Sequence, residues 1–415
     1  MSNWERSEEL ADPNVMQCPY DHYEASQEEA PVYYSQSLNA YVITRHDTSA
    51  KVLIDTESYS SDPTIFSEYF IPYSKKYEYL YEEMGSTLPT TTLVNTDPPR
   101  HRNYRTLADA ALSAAPVRRM EGAVDKVTAE LIDGFVAKGG GDIYREVCMK
   151  LPLHVIVDMY GLPRDASDMM ESAADAMVRL AASQVETEES KVELHKAQAE
   201  YVKFVTEYAE KYRESPEENL LSDLVHAEDD EGNRLNNAEI GSISLLLNVG
   251  GNETTTNGFG NCLYTMLMNP EIQERLRAHP EEIPRFIEEG LRMETPVNRI
   301  TRFSMKDTVI DGVEVPAGST LIVCLGAANR DKRLFEDAST ADIDRANVRK
   351  HMAFGFGVHF CVGAKLARLE LKIAFEQLLS KTRNIQFDES ADAPKFEPKF
   401  IVRGVDHIHV KVEPA

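Results

Sequence analysis

Cys361 is the residue in this chain whose surroundings most clearly prepare it for chemistry. It closes the run His351-Met-Ala-Phe-Gly-Phe-Gly-Val-His-Phe-Cys, a glycine-punctuated loop that presents the sulfur just before an amphipathic stretch from Leu366 to Leu379. Backbone N–H groups and the dipole at the start of such a helix favour a thiolate, and a thiolate is a ligand for a soft metal. One cysteine cannot fill a tetrahedral zinc site, and no paired His/Cys motif stands nearby. A porphyrin iron, which already holds four nitrogens, needs only one axial ligand from the protein. The other cysteines, Cys18, Cys148, Cys262 and Cys324, form no CxxC pair, and the odd total of five disfavours a disulfide framework.

A second constellation stands earlier in the chain. Gly250-Gly251-Asn252-Glu253-Thr254-Thr255 occupies the centre of the longest helical pattern, Asn237 to Met268, yet glycines beside β-branched residues are poor helix formers. Weak helix chemistry there means that something approaches the backbone; the alternative is that Gly250 and Gly251 only let a neighbouring helix pack closely. A carboxylate, Glu253, beside a hydroxyl, Thr254, could pass protons into a site that excludes bulk water. Each also has an ordinary reading, a surface carboxylate and a hydroxyl bonded back to the preceding turn. Glu289 and Arg292, at i and i+3, are by themselves no more than a common solvated helix pair.

Together these segments resemble one family. Phe354-Gly355-Phe356-Gly357-Val358-His359-Phe360-Cys361-Val362-Gly363 resembles the FGxGxHxCxG signature of the cytochrome P450 family, the haem-thiolate monooxygenases, in their soluble bacterial form. Residues Gly250 to Thr255 are similar to its (A/G)Gx(D/E)T(T/S) oxygen-activation motif, and Glu289-Gly290-Leu291-Arg292 to its ExxR motif, with Arg345 where a third member of that ion network is expected. Asp97-Pro98-Pro99-Arg100-His101-Arg102-Asn103-Tyr104-Arg105 resembles the segment entering the helix that grips a haem propionate, and Arg302 and Ala328-Asn329-Arg330-Asp331 fall at familiar places. The departures are small: Ala-Leu-Ser-Ala-Ala-Pro replaces the usual aromatic after the propionate helix, and Asn252 is polar where many relatives differ.

The resemblance implies a mainly α fold with small β-sheets (α+β), a single domain over 1–415 with a β-rich part at about 30–95 and a helical part at about 100–415, and haem b between a long distal helix and the helix after Cys361. It makes Cys361 the axial ligand of the iron and places Phe354, Gly363 and Gly251 about the haem. His101, Arg105, Arg302 and His359 become the cationic partners that two partly dry carboxylates require. Glu289, Arg292 and Arg345 are structural, and Thr254 and Glu253 are the catalytic alcohol and acid. Thr92, Leu93, Val94, Leu246, Leu247, Gly250, Val297, Ile300 and Phe400 correspond to regions that form the pocket, and their apolar character favours a hydrophobic small organic substrate. The implied reaction inserts one atom of O2 into it, by hydroxylation or O-dealkylation. With too few cysteines for an appended iron–sulfur domain, NAD(P)H-derived electrons must come through a separate ferredoxin and its reductase. The acid–alcohol pair speaks against a peroxide-driven relative; the alternative from another class is a non-catalytic haem-thiolate protein that senses or carries a gas.

The elements that must position these residues are legible in outline. APVYY and AYVIT read as strands, followed by a short helix at Ala50 to Ile54, and residues 63 to 95 as an aromatic, irregular and functional loop. Amphipathic helices are expected near 117–136, 144–160, 165–183, 188–213 and 237–268. Repeats and linker-like stretches are absent, as are a signal peptide and any apolar run of about 18 residues, so a cytoplasmic monomer without membrane contact is expected. The 44 basic and 69 acidic residues give a net charge of −25, which excludes a phosphate-neutralising nucleic-acid binder. The charge is uneven: residues 345–372 carry six basic groups against one acidic, and 100–119 five against one. In the resembled family both segments lie on the thiolate side, so a ferredoxin-type donor is expected to dock on the Cys361 side, steered by charge.

Overall fold

Residues 10–65, 74–181, 187–229 and 231–415 are described by the computed structural model. Their strands are β1 (Val32–Ser35), β2 (Ala40–Ile43), β3 (Tyr59–Ser60), β4 (Gly140–Asp142), β5 (Arg299–Ser304), β6 (Thr308–Ile310), β7 (Val313–Val315), β8 (Thr320–Cys324), β9 (Thr382–Phe387) and β10 (His409–Pro414). The helices that bear on the site are α1 (Tyr20–Glu29), α2 (His46–Ile54), α3 (Arg100–Ala111), α4 (Ala114–Ala137), α5 (Lys150–Met159), α6 (Ser167–Ala181), α7 (Glu188–Glu214), α8 (Asn237–Met268), α9 (Ile283–Met293) and α10 (Ala364–Lys381).

The sheets correct the expected division into a β-rich part at 30–95 and a helical remainder. The main sheet runs β1-β2-β8-β5-β3, so β5 and β8, from far along the chain, stand inside it. β2 and β8 are parallel, with Ala40 opposite Thr320 and Ile43 opposite Val323. Both strands are rich in β-branched and aromatic residues, and pairing them buries Val42, Ile43, Leu321 and Val323. A three-stranded sheet β4-β10-β9 and the hairpin β6-β7 complete the β structure. The irregular segment expected at 63–95 contains the short helix Glu78–Glu83, and residues 66–73 within it lie outside the described residues, as does the tail of the 165–183 expectation beyond Ala181.

α8 is unbroken over 32 residues despite its glycine pair. Its start is fixed by a capping box: the Asn236 side chain accepts from the Glu239 N–H while the Glu239 carboxylate accepts from the Asn236 N–H. Tyr104 of α3 donates to that same carboxylate at 2.9 Å. The helix packs against α5, α6, α7, α9 and α10, and tertiary burial of this kind overrides weak local propensity. Phe375 of α10 receives Phe259 of α8 and Phe286 of α9 edge-on, each at 5.2 Å between centroids. All three rings are fully buried, so the helix carrying the acid–alcohol motif, the ExxR helix and the helix behind Cys361 share one aromatic joint. Among the described residues no helix is long and apolar enough to cross a membrane, and no group of three His, Cys, Asp or Glu residues could hold a metal ion.

Candidate active site

The cysteine loop is built by its own glycines and by α9. Cys361 N–H donates to the Phe354 carbonyl at 2.8 Å, while Gly355 and Gly357 both turn the chain at φ 72°. A Cβ on Gly357 would stand 2.6 Å from the Leu53 carbonyl oxygen at the end of α2, a backbone atom that cannot swing aside, so only glycine fits. Phe354 lies 4.2 Å beneath the Arg368 guanidinium. Arg368 and His351 together grip Glu288, at 2.6 and 2.9 Å. Burial opposes ionisation of that carboxyl, but the hydrogen bonds from His351 and Arg368 outweigh it and hold the group at about 2.

One residue further along α9, Glu289 pairs with Arg292 at 2.8 Å and with Arg345 at 3.1 Å, all three buried. Arg292 also donates to the carbonyls of Asn329 and Ala338, and Asn329 accepts from the Met352 N–H. The ion network therefore fixes the start of the cysteine loop. Buried charge of this kind survives only when every group is matched, which is why this ExxR is not a solvated helix pair.

The Cys361 side chain is accessible, yet protein atoms crowd it so that burial pushes its thiol above the usual value, against the pull of the Gly363 and Ala364 N–H groups and of Arg105 and Arg368. The Gly363 and Ala364 N–H groups pull toward a thiolate, as the helix start implies, and a bound metal cation is the partner that would hold the sulfur ionised against its burial.

Around the rim, cations gather with few carboxylates to answer them. The rings of His101 and His359 lie 4.2 Å apart. Arg105 bonds Asp109 at 2.8 Å and the Phe360 carbonyl. Arg302 is buried, donates to the Thr301 carbonyl at 2.8 Å and, among the described residues, has no carboxylate in ion-pair contact. Its guanidinium is pushed down to about 10 by burial, with Asp97 pulling the other way. His359 is pushed to about 3 by burial and then by Arg302, His101 and Arg105. Asp97, which accepts from the Ser61 N–H at 2.9 Å and from the Ser60 hydroxyl, and Ser61, 3.0 Å from His359 Nε2, complete the rim. Sequence reasoning quoted Asp97 within its motif without giving it a role, and the two serines carried no signal.

The middle of α8 is open between two buried stretches. Residues 246–254 are partly accessible except for Asn248, whereas 240–245 and 255–263 are buried. The two glycines divide the two readings offered for them. A Cβ on Gly250 would meet nothing within 4 Å, but one on Gly251 would stand 2.4 Å from Ile156 Cδ1 of α5, so Gly251 is the glycine that the close packing of α5 on α8 requires. The Thr254 hydroxyl donates to the Gly250 carbonyl, and the Glu253 carboxylate is 3.3 Å from Lys399 Nζ. Leu246 and Leu247 are half-buried against the main core.

The other pocket candidates fall into two groups. Thr92 is fully buried, its hydroxyl without a partner among the described residues, Leu93 is buried at φ 38°, and Val94 is exposed; Thr90 N–H donates to Ser242 Oγ at 2.8 Å and seats this turn on α8. Val297 bridges Val402 and, with Ile300, packs on one core cluster of the sheet, whereas Phe400 packs on the other and lies 4.8 Å from the Arg299 guanidinium, so the three do not share one wall.

An accessible sulfur donor, a buried arginine with no carboxylate in ion-pair contact among the described residues and an apolar helix accessible along its middle suit one kind of guest, a flat dianionic macrocycle whose metal takes a single protein sulfur. The residues fit haem, and the fold is that of a haem-thiolate protein. Residues 165–412 match the family model described as cytochrome P450. The chain is 30% identical over 405 residues to 6-deoxyerythronolide B hydroxylase of Saccharopolyspora erythraea, covering 95% of this chain and 96% of that one. It is 31% identical over 364 residues to the putative cytochrome P450 YjiB of Bacillus subtilis, covering 87% of each. Among solved structures, CYP109E1 from Bacillus megaterium in complex with corticosterone superimposes with a TM-score of 0.83 at 29% identity, over 96% of this chain and 99% of that one. The chain belongs to the cytochrome P450 family, monooxygenases that use haem and O2.

Proposed function

We propose that the protein oxidises a hydrophobic small organic molecule, by hydroxylation or O-dealkylation, with NAD(P)H-derived electrons delivered by a ferredoxin on the Cys361 side. The opened middle of α8, with Leu246, Leu247 and Gly250 beside the Glu253–Thr254 pair, is the observation that carries this reading. When bound, haem b supplies an iron at which O2 is reduced and split, with Cys361 donating electron density. The chain's residues do the rest. Arg302, His101, His359 and Arg105 hold the carboxylates; Thr254 orders a water and Glu253 brings protons from solvent; Leu246, Leu247, Val297, Ile300 and Phe400 exclude water and orient the substrate. The corticosterone complex of the neighbour, and a testosterone complex of the same protein, support a pocket of about steroid size here.

The donor site is supported by a surface concavity of about 350 Å³ lined by Arg118, Arg349, Lys365, Arg368 and Lys372 beside Glu121 and Glu288. Not every cation of the two basic segments serves it: Arg345 is buried on Glu289 and Arg119 is paired with Glu218 and Asp223. Complementary charge raises the encounter rate more than the affinity. The test is reconstitution with a ferredoxin, its reductase and NADPH, after a screen of hydrophobic compounds, corticosterone and testosterone first, for the low-spin to high-spin Soret shift. Product formation dependent on the ferredoxin, and slowed by salt and by Arg118→Glu, is expected. Electron transfer insensitive to both would overturn the docking site; a spectrum without turnover in any compound would favour the gas-binding alternative.

A further inference from the structure

Residues 396–405 form a narrow hairpin: Phe396 bridges Val405, and Glu397 N–H donates to the Gly404 carbonyl at 3.0 Å. The hairpin lies along the entry to β5, where Asn298 N–H donates to Ile401 at 2.8 Å and Arg403 N–H to Pro296 at 2.7 Å. Its tip carries Phe400, packed on the sheet, and Lys399. Lys399 Nζ sits 3.3 Å from Glu253 Oε1 of α8 and 3.0 Å from Glu397 Oε2. Side-chain exposure falls along this row, from 41% at Glu397 through 39% at Lys399 to 22% at Glu253. From the adjoining turn Tyr144–Cys148, Tyr144 faces the same group; its hydroxyl donates to Asn257 at 2.8 Å, and its acidity is suppressed by burial, then by Cys148 and the carboxylates of Glu397, Glu253 and Asp142.

We propose that Lys399 is a positioning residue for proton delivery, its ammonium tethering the Glu253 carboxylate to the tip of the 396–405 hairpin. The inference rests on the reading of Glu253 as the acid of the relay. An ammonium at this distance fixes the direction in which the carboxylate points. The Thr254 hydroxyl is meanwhile bonded to Gly250 and not to Glu253, so donation requires the Glu253 carboxyl to leave Lys399 and turn toward Thr254.

The experiment uses the full-length haem-loaded enzyme and the variants Lys399→Met, Lys399→Arg and Glu253→Gln. Infrared difference spectra of the resting state read the carboxyl band that Glu253→Gln removes. Lys399→Met, which breaks the ion pair, shifts that band, and Lys399→Arg keeps it near its native position. A band unmoved by Lys399→Met overturns the proposal. The second readout is the solvent isotope effect on O2 consumption with NADPH, reductase and ferredoxin. Lys399→Met changes it and Glu253→Gln enlarges it; if Glu253→Gln leaves it native, the relay reading fails and the proposal with it, whereas a change in Glu253→Gln alone overturns only the role of Lys399.

Discussion

The imidazole rings of His101 and His359 face one another at 4.2 Å and a tilt of 54°, and both are held below the ordinary histidine range, chiefly by burial. Two neutral rings side by side leave Arg302 and Arg105 as the charges of the rim. Of these Arg302 is the more deeply buried and, among the described residues, lacks an ion-pair partner, so its role is asymmetric between the free and the loaded protein.

Arg302→Ala is therefore expected to act in opposite directions on the two forms. Without haem it removes an unmatched buried cation, and the thermal midpoint rises. With haem it removes a charge-assisted hydrogen bond of about 1.5–3 kcal/mol, so haem transfers to an acceptor protein roughly tenfold or more faster. Calorimetry of the apoprotein and haem-transfer kinetics read the two effects.

Glu289→Gln strands Arg292 and Arg345 in the interior with no counter-charge. A loss of about 3–5 kcal/mol is expected, seen as a lowered denaturation midpoint in urea, together with loosening of the cysteine loop through Asn329 and Met352. A cost below about 1 kcal/mol would show that the network is solvated in solution.

The glycine pair of α8 separates propensity from packing. Gly250→Ala meets open space and gains about 1 kcal/mol of helix propensity. Gly251→Ala drives a methyl into Ile156 Cδ1 and costs about 1–3 kcal/mol. Adding Ile156→Val, which deletes that methyl, should recover most of the loss, a coupling that a double-mutant cycle measures.

Glu370 of α10 is buried, its Oε2 has no hydrogen-bond partner among the described residues, and burial raises its carboxyl from 4.5 to about 8. A folded value above the unfolded one means that the folded state must keep the group protonated. The penalty is absent below about pH 4.5, grows as pH rises to about 8, and is level above that. At pH 7 it amounts to at most about 3 kcal/mol. Glu370→Gln should abolish this fall in stability between pH 5 and 8, as read from unfolding midpoints across that range.

How much of this was visible in the residues depends on sequence distance. The ends of α8 matched the expectation, Asn237 to Met268, because the Asn236–Glu239 capping box and the following Pro270 are local chemistry. The cysteine loop was legible because glycines and a cysteine at fixed spacing constrain one short stretch of backbone. The strand order was not, since nothing local in AYVI announces a parallel partner at Thr320–Cys324. Lys399 was likewise silent: its pairing with Glu253 spans 146 residues, and a lysine between proline and phenylalanine looks like any surface cation. Glu370 falls in an ordinary amphipathic pattern whose turns gave no sign that its carboxyl is buried.

The parallel pairing of β2 with β8, continued by the His46 N–H on Asp331 across 285 residues, also governs when the fold can be completed. A growing chain emerges from the ribosome with β2 already made and its neighbour still unsynthesised, so the sheet edge waits through most of translation. Closure of so long a loop is slow, and an unpaired β-edge is prone to pair with the wrong partner in the interval. Yield in recombinant expression should therefore respond to slower synthesis and lower temperature more than to any improvement of the helical core.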